Sequence, residues 1–339
     1  GFNGTFIDNK NGDEAQKNQL LSTKNYEGVE IQAEVFNALP GAQVAYWLSK
    51  SALSAFKVLS PLSEVAESKQ GMATSNNGRF LRYWHEVSYA DIAFGCTDAS
   101  ESLRRPEKWY PYVKGGSFQR WYGNLEYVVN WKNNGQELKI FVEEISRLRP
   151  GGRLKNQAYY FKESLTYSAL SGGSFSCRYN GVGFLFDTKG SCIFSNSVNT
   201  KCLLAFLNSN VAQLYLNVLC PTLDYTSIGI NAIPYKKIES ADLINQTERA
   251  VESAKSSWDS FETSWDFSGL NLSKQEASDN SLAGSWRKLD MDAGDAIQSL
   301  RSIEESINQT FITAYGLQDE LSPEVPESQI TLARADREK

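Results

Sequence analysis

A single histidine, His85, in 339 residues leaves nothing from which to build a multi-histidine metal site. Cys96, Cys177, Cys192, Cys202 and Cys220 are odd in number and show no Cys-x-x-Cys pairing. That argues against a disulfide framework and a zinc ribbon and fits a reducing cytoplasm. No apolar run approaches the roughly 18 residues that a membrane span needs, and no signal peptide opens the chain. Gly-x-Ser-x-Gly, a P-loop and His-Glu-x-x-His are all missing, so hydrolase, nucleotide-binding and zinc-protease readings lose their usual supports. No catalytic, cofactor-binding or metal-ligating residue is read in this chain.

What is there begins with an ordinary globular composition, 41% hydrophobic and 22% charged. The length exceeds the ~250 residues at which single cores stop growing, so two domains and a seam are expected. The chain opens Gly1-Phe2 without methionine, which reads as a processed start or a piece cut from a longer protein. Its net charge of -6 hides a sharp segregation. Residues 101–180 carry thirteen basic against seven acidic residues, whereas 239–320 carry six against sixteen. A basic middle followed by an acidic end is what a local phosphate-facing surface would look like.

Residues 1–35 are polar and turn-rich and read as an irregular connector with one short helix. Short amphipathic helices follow from Pro40 and end before Pro61. Between 70 and 200, Leu125–Trp131, Ala158–Phe161, Gly183–Phe186 and Cys192–Phe194 are short, aromatic or β-branched, and bounded by Gly and Asn. They are expected as strands of one curved, mostly antiparallel sheet. Leu203, Leu204, Leu207, Val211, Leu214 and Val218 form one stripe and predict a single helix over 200–219, stopped by Pro221. Two further seams, Ile244 to Trp265 and Trp286 to Ile307, predict a long antiparallel helical hairpin, its second helix ended by Gly316. The fold class is therefore α+β, a sheet with flanking helices followed by that hairpin.

Three polar segments could carry recognition. In the first, Gly71 to Val87, small residues lead into Asn76, Asn77, Arg79 and Arg82; Asn and Arg match purine edges, and glycine permits close approach. The alternative there is a turn feeding a core-facing aromatic strand. The second, Lys108 to Asn124, interleaves bases and aromatics around Gly115-Gly116, with Lys114, Gln119 and Arg120 flanking them, as a backbone clamp would; a small aromatic core is the other reading. The third, Arg147 to Asn156, is a basic Pro-Gly loop holding Arg149, Arg153, Lys155 and Asn156, with solubility as its plain explanation. Arg178 completes the candidate DNA-binding set. His85, inside an aromatic stretch, is expected as a hydrogen-bonded structural residue rather than a base.

Five motifs in one order carry a resemblance: Leu39-Pro40-Gly41 with Ala45-Tyr46-Trp47; Gly71-Met72 through Asn76-Asn77-x-Arg79-Phe80 to Glu86-Val87; Lys108-Trp109 through Lys114-Gly115-Gly116 to Arg120-Trp121-Tyr122-Gly123-Asn124; Tyr159-Tyr160-Phe161-Lys162-Glu163; and Leu204-x-x-Leu207-Asn208-Ser209. Over 38–235 this resembles the PglX-type adenine-specific DNA methyltransferases of BREX phage defence, downstream of their catalytic domain. The resemblance implies a connector at 1–37, a DNA target-recognition domain at 38–238, a helical spacer at 239–320 and a polar tail at 321–339. It also implies double-stranded DNA and the parent's own catalytic domain as partners, with S-adenosylmethionine used by the full-length parent and not by this chain. The sequence departs from the family in two places: no two of its prolines adjoin, so the Asn/Asp-Pro-Pro-aromatic loop is missing, and Ala93-Phe94-Gly95-Cys96 lacks the glycines of a donor turn. None of the family's catalytic residues carries over. A different class of function stays open: a module that docks other BREX subunits or a DNA-mimicking phage inhibitor.

Overall fold

The computed structural model describes residues 3–7, 13–23, 28–32, 36–37, 39–148, 153–171, 173–274 and 281–333. The stretch expected as an irregular connector contains β1 (Asn3–Ile7) and β2 (Gly28–Gln32), paired antiparallel, with α1 (Glu14–Thr23) between them. Helix α2 (Lys50–Val58) is capped by Ser49, whose Oγ accepts from the Ala52 amide. Strand β3 (Ala66–Lys69) leads to a short helix, α3 (Asn77–Phe80), and to β4 (Leu81–Tyr83). Helix α4 (Ala99–Arg104) precedes β5 (Trp109–Val113) and β6 (Tyr127–Asn130), and α5 (Lys132–Leu148) follows. Then come β7 (Ser164–Tyr167), β8 (Cys177–Asn180), β9 (Leu185–Phe186) and β10 (Cys192–Ser195).

These strands build two four-stranded sheets, not the one expected: β3-β10-β7-β8, all antiparallel, and β4-β6-β5-β9, antiparallel except where β9 runs parallel to β5. The reason is visible in β10. Alternate residues of a strand point to opposite faces; Ile193 joins a core shared with the helices, while Cys192 and Phe194 join a second core beneath the other sheet. The first sheet is thus buried on both faces, which is why its strands lack polar alternation.

The helix expected over 200–219 is two, α6 (Thr200–Leu207) and α7 (Asn210–Leu219), bent by 67°. Ser209 makes the break: its Oγ donates to the Phe206 carbonyl and accepts from the Ala212 amide. Among the described residues no single helix is long and apolar enough to cross a membrane. After α8 (Ser227–Asn231) the expected hairpin forms from α9 (Ala241–Trp258) and α11 (Leu282–Tyr315), with α10 (Asn271–Lys274) in the connection, but α9 stops short of the seam's expected end at Trp265, which packs instead against Phe94 and Phe184. Gln246 bonds Ser306 and Arg249 bonds Ser299, an antiparallel register. Gly316 ends α11 in the left-handed conformation, φ +68°. One core runs across the expected boundary at 238, since Leu243, Ala250, Leu300 and Ile307 pack with Leu203, Phe206 and Tyr215. The tail follows suit, with Val325 and Ile330 buried against the same core.

Candidate nucleic-acid interface

The first recognition segment is built onto the second sheet. Gly71 passes so close to β9 that an added Cβ would lie 1.8 Å from the Phe186 carbonyl oxygen, so no other residue fits there. Met72 donates to Phe186 and Ala73 donates to the Arg153 carbonyl, which sets the third segment alongside the first. From this anchored base the chain rises into an exposed loop. Thr74 is buried and its hydroxyl donates to Asn77 Oδ1 at 2.6 Å; Asn76 caps α3, its Oδ1 accepting from the Arg79 amide at 3.1 Å. Arg79 lies over the Phe80 and Phe141 rings and is paired with Glu137 at 2.8 Å, while half its side chain remains exposed. Glu137 is held below the usual carboxylate range by that hydrogen bond from Arg79. Arg82 donates to the Gly78 and Leu81 carbonyls and lies near the Trp109 ring.

Beside this loop Arg153 donates to Ser75, exposed Lys155 to Gln70 Oε1, and Asn156, itself left-handed at φ +54°, to the Gln70 carbonyl. The structure therefore sets Arg153, Lys155 and Asn156 alongside the start of the first segment, at Gln70, Ala73 and Ser75 near β9, whereas Arg82 lies on β4 at the opposite edge of the second sheet and Arg79 on the short helix that leads into it. Arg82 and Lys155 donate to neutral oxygens, whereas Arg79 meets a carboxylate. Arg149 lies outside the described residues.

The second segment departs from expectation. Arg120 and Arg178, anticipated on a phosphate-facing surface, are buried. Arg120 Nη1 donates to Glu304 Oε2 at 2.5 Å, and Trp121 Nε1 donates to the other oxygen of that carboxylate at 2.7 Å. Arg178 donates to the Gln119 carbonyl and to Ser168, and burial brings its guanidinium down to about 10. Gln119 donates to the Thr331 carbonyl. Arg120 and Gln119 fasten the 117–124 loop to α11 and the tail, and Arg178 ties that loop to Ser168, so the two arginines are buried, structural cations. The glycines serve the same packing: Gly115, at φ +84°, faces the Lys189 carbonyl, and a Cβ on Gly116 would lie 2.6 Å from Asn124. Lys108 and Lys114 are half-buried, their ammonium groups 5.1 Å from the Trp109 and 4.8 Å from the Tyr127 ring centres.

Sequence reasoning missed the Tyr127 ring. Tyr83 stacks on Tyr127 at 4.7 Å and on His85 at 5.5 Å, and His85 is exposed rather than built into a core. The signal available was the alternation Tyr83-x-His85 at a strand end. The cysteines offer no nucleophile, since all five are buried and burial pushes the Cys177 and Cys192 thiols up to about 12.

No family model matches this sequence. The chain is 37% identical over 309 residues, 88% of its length, to the adenine-specific methyltransferase PglX of Lacticaseibacillus casei (strain Zhang). It is 31% identical over 312 residues, 91% of its length, to the adenine-specific methyltransferase BrxX of Escherichia coli O9:H4 (strain HS). It spans only 25% and 24% of those two proteins. Among solved structures it is similar to the type IIL restriction-modification enzyme MmeI in complex with DNA, at 10% identity and a TM-score of 0.42, over 78% of this chain and 34% of that one.

Proposed function

Since the chain is homologous to about a quarter of the length of the PglX and BrxX adenine-specific methyltransferases, we propose that it is the part of such an enzyme that recognises the DNA target. One observation carries the reading: the kinship covers nearly the whole chain, yet the chain lacks the Pro-Pro loop and the donor-binding glycine turn. A stretch of an adenine methyltransferase without those motifs serves something other than methyl transfer, and an exposed Asn- and Arg-bearing loop beside basic residues suits base and phosphate contacts. Lys114, Arg153 and Lys155 set the register on phosphates. Asn76, Asn77, Arg79 and Arg82 read base edges in the major groove, and Asn156 adds a polar contact at the rim. S-adenosylmethionine binds in the remainder of the parent, which extrudes an adenine at a fixed offset and methylates it. The biological outcome is the marking of host DNA in the cytoplasm, so that unmarked phage DNA is refused.

Fluorescence anisotropy of the isolated chain on duplex DNA tests this reading. With Lys114, Arg153 and Lys155 on phosphates, log affinity should fall against log salt with a slope of roughly -3, each neutralised phosphate contributing about -0.9. Binding that ignores salt, or none at low salt, contradicts it.

A second reading, docking of another defence subunit or a DNA-mimicking inhibitor, is favoured by one feature. Phe261, Leu270, Leu272, Trp286 and Leu289 line an apolar groove of about 630 Å³ where α9 and α11 diverge. Surfaces of this kind attract protein partners.

A further inference from the structure

The aromatic group at the end of β4 is unused by the contacts assigned so far. Tyr83, 41% exposed, lies nearly parallel to Tyr127 at 29° and to His85 at 13°, and its hydroxyl accepts a hydrogen bond from that of Tyr127 at 3.0 Å. The turn that carries these rings is fixed at three points. The Tyr83 amide donates to Glu86 Oε2, the Trp84 amide donates to the Glu126 carbonyl, and Trp84 Nε1 donates to the Thr263 carbonyl at the base of the hairpin. Glu86 is thereby turned back into its own turn, and Lys114 stands over Tyr127. Rings held so firmly at the surface forgo the burial that aromatic side chains ordinarily gain. Because Tyr83 already stacks on both Tyr127 and His85, the ring face left open to an unstacked base is that of exposed His85, backed by the two tyrosines.

Resting on the DNA-recognition reading, we propose that His85, backed by Tyr83, presents its outer ring face as a stacking platform for an unpaired nucleobase of the bound DNA. A paired base has both faces covered by its neighbours and could not use such a surface. Chemistry on the amino group of adenine requires that base to leave the stack, and its departure leaves unpaired bases close to the recognised site. The platform is also within reach. From Phe80, at the end of α3, to Tyr83 is three residues of extended chain, about 10 Å at ~3.3 Å per residue, or roughly three base steps from the Asn76–Arg79 loop.

The test compares the chain's affinity for a fully paired duplex with that for the same duplex carrying one base opposite an abasic site. Wild type should prefer the duplex with the unpaired base by about tenfold, within the range of stacking on one aromatic side chain. His85→Ala should abolish the preference while leaving affinity for the paired duplex unchanged, and His85→Phe, which keeps an aromatic face, should retain it. A wild type that binds the paired duplex without any preference, or a preference that survives in His85→Ala, overturns the platform alone. If neither duplex is bound, the DNA-recognition reading fails and the platform with it.

Discussion

At the scale of single residues, the same side chain type has two fates in this molecule, and the neighbouring oxygens decide between them. Arg79 stays half exposed beside Glu137, while Arg120 meets a buried carboxylate of α11, Glu304. Composition showed thirteen cations between 101 and 180, but not that two of them are interior, because Glu304 comes from a helix 184 residues further on. Removing one member of a buried pair strands the other, so Arg120→Ala should destabilise the chain by about 3–5 kcal/mol in urea denaturation. The pH dependence follows from Glu304. Burial already raises its carboxyl above the ordinary value against the pull of Arg120, and loss of the guanidinium raises it further. A carboxyl whose folded value is raised takes up a proton on folding, so its contribution is present below about pH 4.5 and lost as pH climbs through the raised value. Arg120→Ala should therefore come closest to wild-type stability in acid and fall away towards neutrality. A uniform loss at every pH would show that Glu304 is not the group left stranded.

At the scale of elements, periodicity was a good guide wherever one helix buries one stripe, as in α9 and α11. It failed between Leu207 and Asn210 because both halves of the broken helix bury their apolar residues, so the stripe continues through the bend. The local signal was Asn208-Ser209, a terminator and an N-cap side by side. Ser209→Ala removes the hydroxyl that serves the Phe206 carbonyl and the Ala212 amide, and should cost about 1–2 kcal/mol of stability, measured by thermal or urea unfolding. A similar geometry fixes the start of α5. Asn133, Asn134 and Gly135 are left-handed, and an added Cβ at Gly135 would lie 2.5 Å from the Trp131 ring. Gly135→Ala should consequently destabilise by more than the ~1 kcal/mol of conformational strain alone, and a neutral result would show that Trp131 yields freely.

At the scale of the whole molecule, strands were legible only in part and strand pairing was not: β6, β9 and β10 match expected runs, but Ala158–Phe161 forms a short 3-10 helix and turn, and β5 lies in a segment read as a clamp rather than a strand. Local runs announce strands through their aromatic and β-branched content, but β3 pairs with β10 and β5 with β9 across long intervals of chain, and nothing local encodes that choice. The result is a second sheet that the 71–82 segment spans from β9, where residues 153–156 lie beside its start, to β4 at the opposite edge, and the candidate residues that remain exposed form a smaller set than the sequence suggested. Within that set the division between reading and gripping makes the central claim testable. Lys155→Ala should lower affinity for every sequence and reduce the salt slope by roughly one, since it removes a phosphate contact. Asn77→Ala and Arg79→Ala, both on an exposed loop, should leave the fold intact and cost ~1–3 kcal/mol only at the true site. The most direct measurement is methylome sequencing of cells carrying the full-length parent with Asn77→Ala or Arg79→Ala. Target recognition by this chain predicts that adenine methylation persists while at least one position of its sequence motif becomes relaxed or altered. An unchanged motif at undiminished occupancy would contradict it.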